Sequence, residues 1–245
     1  MRPVVALLAT SLFLPVQCLA QPADSMADFS GTQGDNGWFY GIYQQGPVGG
    51  PPHGYSAAAF EELDLFDIGT QRWSASDSLV GAQNNNFLNL GDAGGHPTGL
   101  EPAPQDSIIW AVRRYVMPSA GIAQIEIDLR KENTGNNRGG GITGRVFVDG
   151  AEVYAQLVNN DDGIGFQTVL QESVLVGSTI DFAIDPTGIT PLDGSDDIFS
   201  ARADGSVFAA TIEIVPEPSS LVLLFGLLVV GQQQFVCWSR KTQRN

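Results

Sequence analysis

Short runs in which apolar and polar residues alternate with a period of two constrain this chain most. In Ile125-Glu126-Ile127-Asp128-Leu129-Arg130 every second side chain is apolar. Side chains of an extended chain point alternately to opposite faces, so such a run suits a strand buried on one face only. Arg145-Val146-Phe147-Val148 and Ala151-Glu152-Val153-Tyr154-Ala155 flank Asp149-Gly150. Asp-Gly between alternating runs signals a two-residue hairpin, because both central residues must take positive φ. Further strands are expected at 38–43, 107–116, 166–176, 179–184 and 206–215. Residues 57–66 are the only helix-like stretch, and their apolar spacing is ambiguous. Segments 83–86, 133–141 and 159–165 are rich in Asn, Asp and Gly and read as loops. Strands in this density without helical crossovers predict an all-β, antiparallel β-sandwich or jelly roll in a single domain.

Both ends depart from this pattern. Arg2 precedes an apolar run from Val4 to Val16, and Ala20 closes a small-residue site before Gln21. Residues 1–20 therefore read as a secretory signal peptide. Cys18 lies within it and Cys237 near the other end, so the body at 21–214 contains neither cysteine. That body depends on core packing, with no disulfide.

The C-terminal 215–245 is tripartite. Val215, Pro216, Glu217, Pro218, Ser219 and Ser220 lead into an apolar stretch, expected to be helical over 221–238. The basic end at 239–245 carries Arg240, Lys241 and Arg244. Two prolines around Glu217 forbid helix and hold the segment extended. The apolar stretch partitions into a bilayer, and the cations hold its far end at the cytoplasmic side. Its continuous apolar part, 221–231, spans roughly 16 Å at 1.5 Å per residue, against a hydrocarbon core of about 30 Å. A temporary anchor fits that length better than an ordinary permanent membrane helix, which is the competing reading. The arrangement resembles the PEP-CTERM sorting signal. The resemblance implies an exosortase-type enzyme as partner, cutting near the motif and releasing the body to the cell surface or its matrix.

A second resemblance covers most of 28–211. Gly37-Trp38-Phe39-Tyr40-Gly41, Gly95-His96-Pro97, Trp110 with Arg113-Arg114-Tyr115, Pro118-Ser119-Ala120-Gly121, Val148-Asp149-Gly150 and Gly177-Ser178-Thr179-Ile180-Asp181-Phe182 occur in this order. They are similar to a domain common in secreted PEP-CTERM proteins. It implies a sandwich with the architecture of carbohydrate-binding modules and no established activity.

Charge narrows the partners. The chain carries a formal net charge of −15, and four of its twelve basic residues, Arg2, Arg240, Lys241 and Arg244, sit at the two ends. The body is more acidic still and repels nucleic acid. Such a surface is compatible with neutral sugars, divalent cations or simple solvation. The two histidines, His53 and His96, each lie beside a proline, and no Gly-x-Ser-x-Gly elbow supports a serine triad. Glu126, Asp128 and Glu152 are candidate carboxylates for a surface carbohydrate-active hydrolase, the alternative to a non-catalytic role. No cofactor is expected beyond a structural calcium at Asp161 and Asp162 or at Asp193, Asp196 and Asp197, where oxygen ligands crowd into turns. Trp38, Tyr40, Arg113 and Tyr115 are candidate polysaccharide contacts. Alternation along 107–116 sends Trp110 and Val112 to the core and leaves Arg113 and Tyr115 outward. The leading expectation is an exported structural or adhesive protein that contacts polysaccharide and bears no catalytic residues.

Overall fold

The computed structural model describes residues 21–45, 54–80, 88–97, 108–132, 134, 141–186 and 205–215. Residues 1–20, the tail beyond Val215, loop 83–86 and most of 133–141 lie outside them, so those expectations concern undescribed residues. Among the described residues, fourteen strands follow in chain order. They are β1 (Ala23–Asp24), β2 (Trp38–Gln45), β3 (Glu61–Glu62), β4 (Leu65–Asp67), β5 (Arg72–Ser74), β6 (Asn89–Gly91) and β7 (Gly94–His96). The longer ones are β8 (Ile108–Val116), β9 (Gly121–Lys131), β10 (Ile142–Val148), β11 (Ala151–Val158), β12 (Phe166–Val174), β13 (Thr179–Asp185) and β14 (Ser206–Val215). The larger sheet runs β12-β9-β14-β7-β6-β5-β4, with β1 also on β14, and the smaller runs β11-β10-β13-β8-β2-β3. The pairings are antiparallel. The chain changes sheet at β1–β2, β3–β4, β7–β8, β8–β9, β9–β10, β11–β12, β12–β13 and β13–β14, which makes the body an all-β antiparallel sandwich of jelly-roll type.

Alternation explains the core. On β9, Ala123, Ile125, Ile127 and Leu129 are buried while Glu126 and Arg130 are exposed. Phe208, Ala210 and Ile212 of β14 and Ile180, Phe182 and Ile184 of β13 meet them in one cluster between the sheets. Each fully buried side chain of this size contributes about 1.5–3 kcal/mol of transfer free energy. The turn at Asp149 and Gly150 forms as its sequence demands, with φ of 50° and 83° and Val148 paired to Ala151. A Cβ at Gly150 would meet only ordinary contacts at Ala57. Gly150→Ala is therefore expected to cost about 1–2 kcal/mol through left-handed backbone strain alone, read as a lowered urea midpoint with an unchanged slope.

The helix-like stretch is not a helix. Ala57–Ala59 make a single 3-10 turn, followed by β3 and β4. Tertiary contacts decide this: Phe60 lies across β2, where a Cβ on Gly41 would come within 2.3 Å of its ring. Glu61 and Glu62 then pair with Ile42 and Gly41. Residues 54–62 thereby roof the outer face of the smaller sheet.

Candidate functional site

The roof reverses the expected facing of β8. Trp110 and Val112 do not enter the space between the sheets. They join Tyr43, Ile108, Phe147 and Ala183 in a second apolar cluster on the outer face, under Tyr55 and Phe60. Tyr55 lies parallel to Trp110 at 6.0 Å and stacks on Phe147 at 4.0 Å. Arg114 closes the edge, its guanidinium 4.1 Å from the Phe60 ring centre. Its Nε and Nη2 donate to Asp181 at 2.6 and 2.9 Å. The Tyr55 hydroxyl donates to the same carboxylate at 2.8 Å. Arg145 bridges Asp185 and Glu152 and lies 5.3 Å from the Trp110 ring centre.

Arg113 and Tyr115 consequently point inward, correcting the outward placement expected from the sequence. Trp38 and Tyr40 have no exposed surface, and Tyr115 only 8%. Trp38 packs on Tyr115 and Phe182, and Tyr40 stacks on Trp73. With these rings in the core, none of the four residues presents a face to a polymer.

Arg113 is 1% exposed and crosses from the smaller sheet to the larger. Its Nη2 donates to the carbonyls of Gly91 and Gly94 at 2.7 and 3.0 Å. Nη1 donates to those of Asp92 and Ser25 at 3.1 and 3.3 Å. Its Nε has no partner among the described residues, and the Phe208 ring centre lies 5.1 Å away. A rigid fork of donors can gather four carbonyls where a single ammonium could not. Burial draws the guanidinium down to about 10, with the Tyr40 and Asp92 side chains opposing the shift.

Three of those carbonyls, of Gly91, Asp92 and Gly94, belong to the connection between β6 and β7, whose outer side forms a cleft of about 290 Å³. Its lining includes Gly91, Gly94, Gly95 and Gly205, with Arg72, Asn89, His96 and Glu132 supplying the longer polar side chains. The glycines let the strands approach closely beneath it: a Cβ at Gly95 would sit 2.6 Å from Leu90 in the core. A Cβ at Gly94 would sit 2.1 Å from the Ser206 carbonyl. Arg72 donates to Asn89 at 3.0 Å, and the His96 ring contacts the Pro97 carbonyl. The volume lies at the small end for ligand sites. A cation, two carboxylates (Glu132 and Asp92), an amide and an imidazole around it offer both donors and acceptors.

His96 is the one sequence-marked residue among these; Arg72, Asn89, Asp92 and Glu132 were missed. The crowded glycines at 91, 94 and 95 were the available signal. His53, Asp193, Asp196 and Asp197 lie outside the described residues. Asp162 takes the amide hydrogens of Ile164 and Gly165 on its carboxylate, closing the 159–165 loop, and Asp161 is its neighbour. Among the described residues no three His, Cys, Asp or Glu side chains gather as a metal site. Glu126 and Asp128 stand on the outer face of β9, bonded to Gln124 and Gln167 respectively. Glu152 is tied to Arg145 on the other sheet.

The buried phenols set an alkaline limit. Desolvation pushes Tyr40 up to about 12 and also raises Tyr43, Tyr55 and Tyr115. Each holds in the folded state a proton that the unfolded chain releases near 10. Their contribution is complete below that pH and lost as pH rises through the folded value. Arg113 works the other way, since above about 10 the unfolded chain holds a proton that the folded one releases. Four phenols outweigh one guanidinium, so the urea midpoint is expected to fall from about pH 10 to 12. Tyr40→Phe should flatten the fall by at most about 2–3 kcal/mol; an unchanged slope would contradict the assignment.

Residues 215–241 match the PEP-CTERM protein-sorting motif, so that signal is present, and it supports delivery to the cell surface. No curated protein matches the chain. Among solved structures, the body is similar to a carbohydrate-binding module (CBM51) from Clostridium perfringens, in complex with methyl-galactose. That match has 14% identity and a TM-score of 0.30, covering 61% of this chain and 90% of that one. A native family 35 module from Clostridium thermocellum matches at 12% identity and a TM-score of 0.30, over 80% of this chain and 100% of that one. At these values neither likeness bears on ligand or activity.

Proposed function

We propose that the chain is an exported structural or adhesive protein, delivered to the cell surface or matrix by exosortase-type processing. In this reading it is divided as signal peptide 1–20, sandwich 21–214 and sorting tail 215–245, with 221–238 as a transient membrane helix. One observation carries the reading. Val215 is at once the last residue of β14 and the first of the sorting motif, so folded cargo and sorting tail abut without a linker. Mass spectrometry of the mature surface protein is expected to find an N-terminus at Gln21 and a C-terminus beside Pro216–Pro218. Native material ending at Asn245 would overturn the processing step.

Once delivered, the body contacts a neutral, hydroxyl-rich polysaccharide through the glycine-floored cleft, without turnover. Mixed donors and acceptors suit hydroxyl groups, and the acidic body disfavours polyanions. Arg72→Ala and His96→Ala are expected to weaken glycan-array binding about tenfold or more, the usual consequence of losing a charged or shared hydrogen bond. Unchanged binding would remove the cleft from the reading. Release of reducing ends, abolished by Glu132→Gln, would replace adhesion with hydrolysis.

A further inference from the structure

The strand ends place several connections at one rim of the sandwich. Val215 pairs with Ile122, and Gly121 with Val174, so the end of β14, the start of β9 and the end of β12 lie side by side. Ala23 pairs with Ile212, so the chain also enters the body near this rim. The turn from β12 to β13 carries Leu175 and Val176, which are 72% and 70% exposed. This turn is fixed in place. Ser178 donates its amide to the Leu175 carbonyl and accepts the Leu175 amide on Oγ. The Gly177 amide donates to Met117, the Met117 amide to Ser178, and the Ser178 hydroxyl to Asp149. Two adjacent bulky apolar side chains are thus held rigidly toward solvent, where burial elsewhere must compensate their exposure.

The surroundings lack charge in an otherwise acidic body. Met117-Pro118-Ser119-Ala120-Gly121 and Val174-Leu175-Val176-Gly177-Ser178 contain no ionisable side chain. Glu172 and Glu213 stand on the flanking strands, paired with Ala123 and Gln124, and the Asp149 carboxylate is occupied by Ser178 and Thr179. Only Pro216, Glu217, Pro218, Ser219 and Ser220 separate β14 from the apolar stretch that begins at Leu221. Five residues reach at most about 18 Å when fully extended, and the interfacial layer occupies about 5–8 Å of that. While the tail holds the chain, this rim cannot stand far from lipid.

We infer that Leu175 and Val176 insert into the interfacial layer of the bilayer before processing, seating the rim on a lipid surface and presenting the Pro-Glu-Pro segment there. The inference rests on the tail acting as an anchor. The test uses the chain from Gln21 to Asn245 with Cys237→Ser, carrying Leu175→Cys or, on a separate protein, Ile164→Cys. Each is labelled with an environment-sensitive fluorophore and mixed with phosphatidylcholine vesicles. Ile164 is an equally apt control, being 88% exposed and beside the other end of β12, where Phe166 pairs with Leu129.

Emission from position 175 should brighten several-fold and shift to the blue on vesicles, while position 164 stays unchanged. Vesicle binding with both labels unchanged would overturn the insertion and leave the anchor intact. Failure to co-sediment with vesicles would overturn the anchor itself, and the insertion with it. A shift at 175 that needs no vesicles and grows with protein concentration would assign the patch to a second copy instead.

Discussion

Arg113→Met is expected to lower the unfolding free energy by about 3–5 kcal/mol, the usual scale for stripping the partner from buried polar groups. The methionine roughly keeps the apolar stem and Phe208 contact. It removes the guanidinium donors from the carbonyls of Gly91, Asp92, Gly94 and Ser25. Four acceptors would then lose their charged partner, three of them on the β6–β7 connection and one at Ser25. Arg113→Lys should recover little, since one ammonium cannot reach carbonyls spread over two strands and a turn. The urea midpoint measures the first effect. Ligand binding at the cleft, under conditions where the variant is still folded, measures the second. A variant as stable as the parent would show that the guanidinium is only tolerated there.

Asp181→Ala should be comparably costly, about 3–5 kcal/mol, for a different reason. Asp181 has no exposed surface and accepts three charge-assisted or phenolic hydrogen bonds from Arg114 and Tyr55. Its loss leaves a half-buried guanidinium beside an aromatic cluster and frees the ring that roofs Trp110 and Phe147. A red shift in tryptophan emission should therefore accompany the lowered midpoint, because water gains access to Trp110. Asp181→Asn keeps one acceptor and should lie between. Changing Arg114 and Asp181 together should cost less than the sum of the two single changes. Strict additivity would mean that the two side chains act independently.

The frame of the sandwich was legible because its signals are local. Period-two alternation marked β9 and β14, and Asp149-Gly150 marked the β10–β11 turn, each needing only neighbours in sequence. Facing on β8 was not legible. Ile108-Ile109-Trp110-Ala111-Val112-Arg113-Arg114-Tyr115 puts apolar groups and one arginine on both faces. Both faces are covered, one by the opposite sheet and the other by residues 54–62. Only the carbonyls waiting at the β6–β7 turn decide which arginine goes inside. The same distance in sequence hid the cleft: Arg72, Asn89 and Glu132 look like ordinary solvated residues until antiparallel pairing sets them around the glycines.

The position of β14 has a mechanical consequence for a protein tethered through its C-terminal side. All ten of its residues pair with β9, and its other edge is held by β1 and β7. A pull on Val215 along the strand must slide β14 past its neighbours, so the rungs of the ladder resist in shear and together. Traction on a peripheral strand such as β12 could instead unzip them one at a time. Nature has fastened the rope to the middle plank.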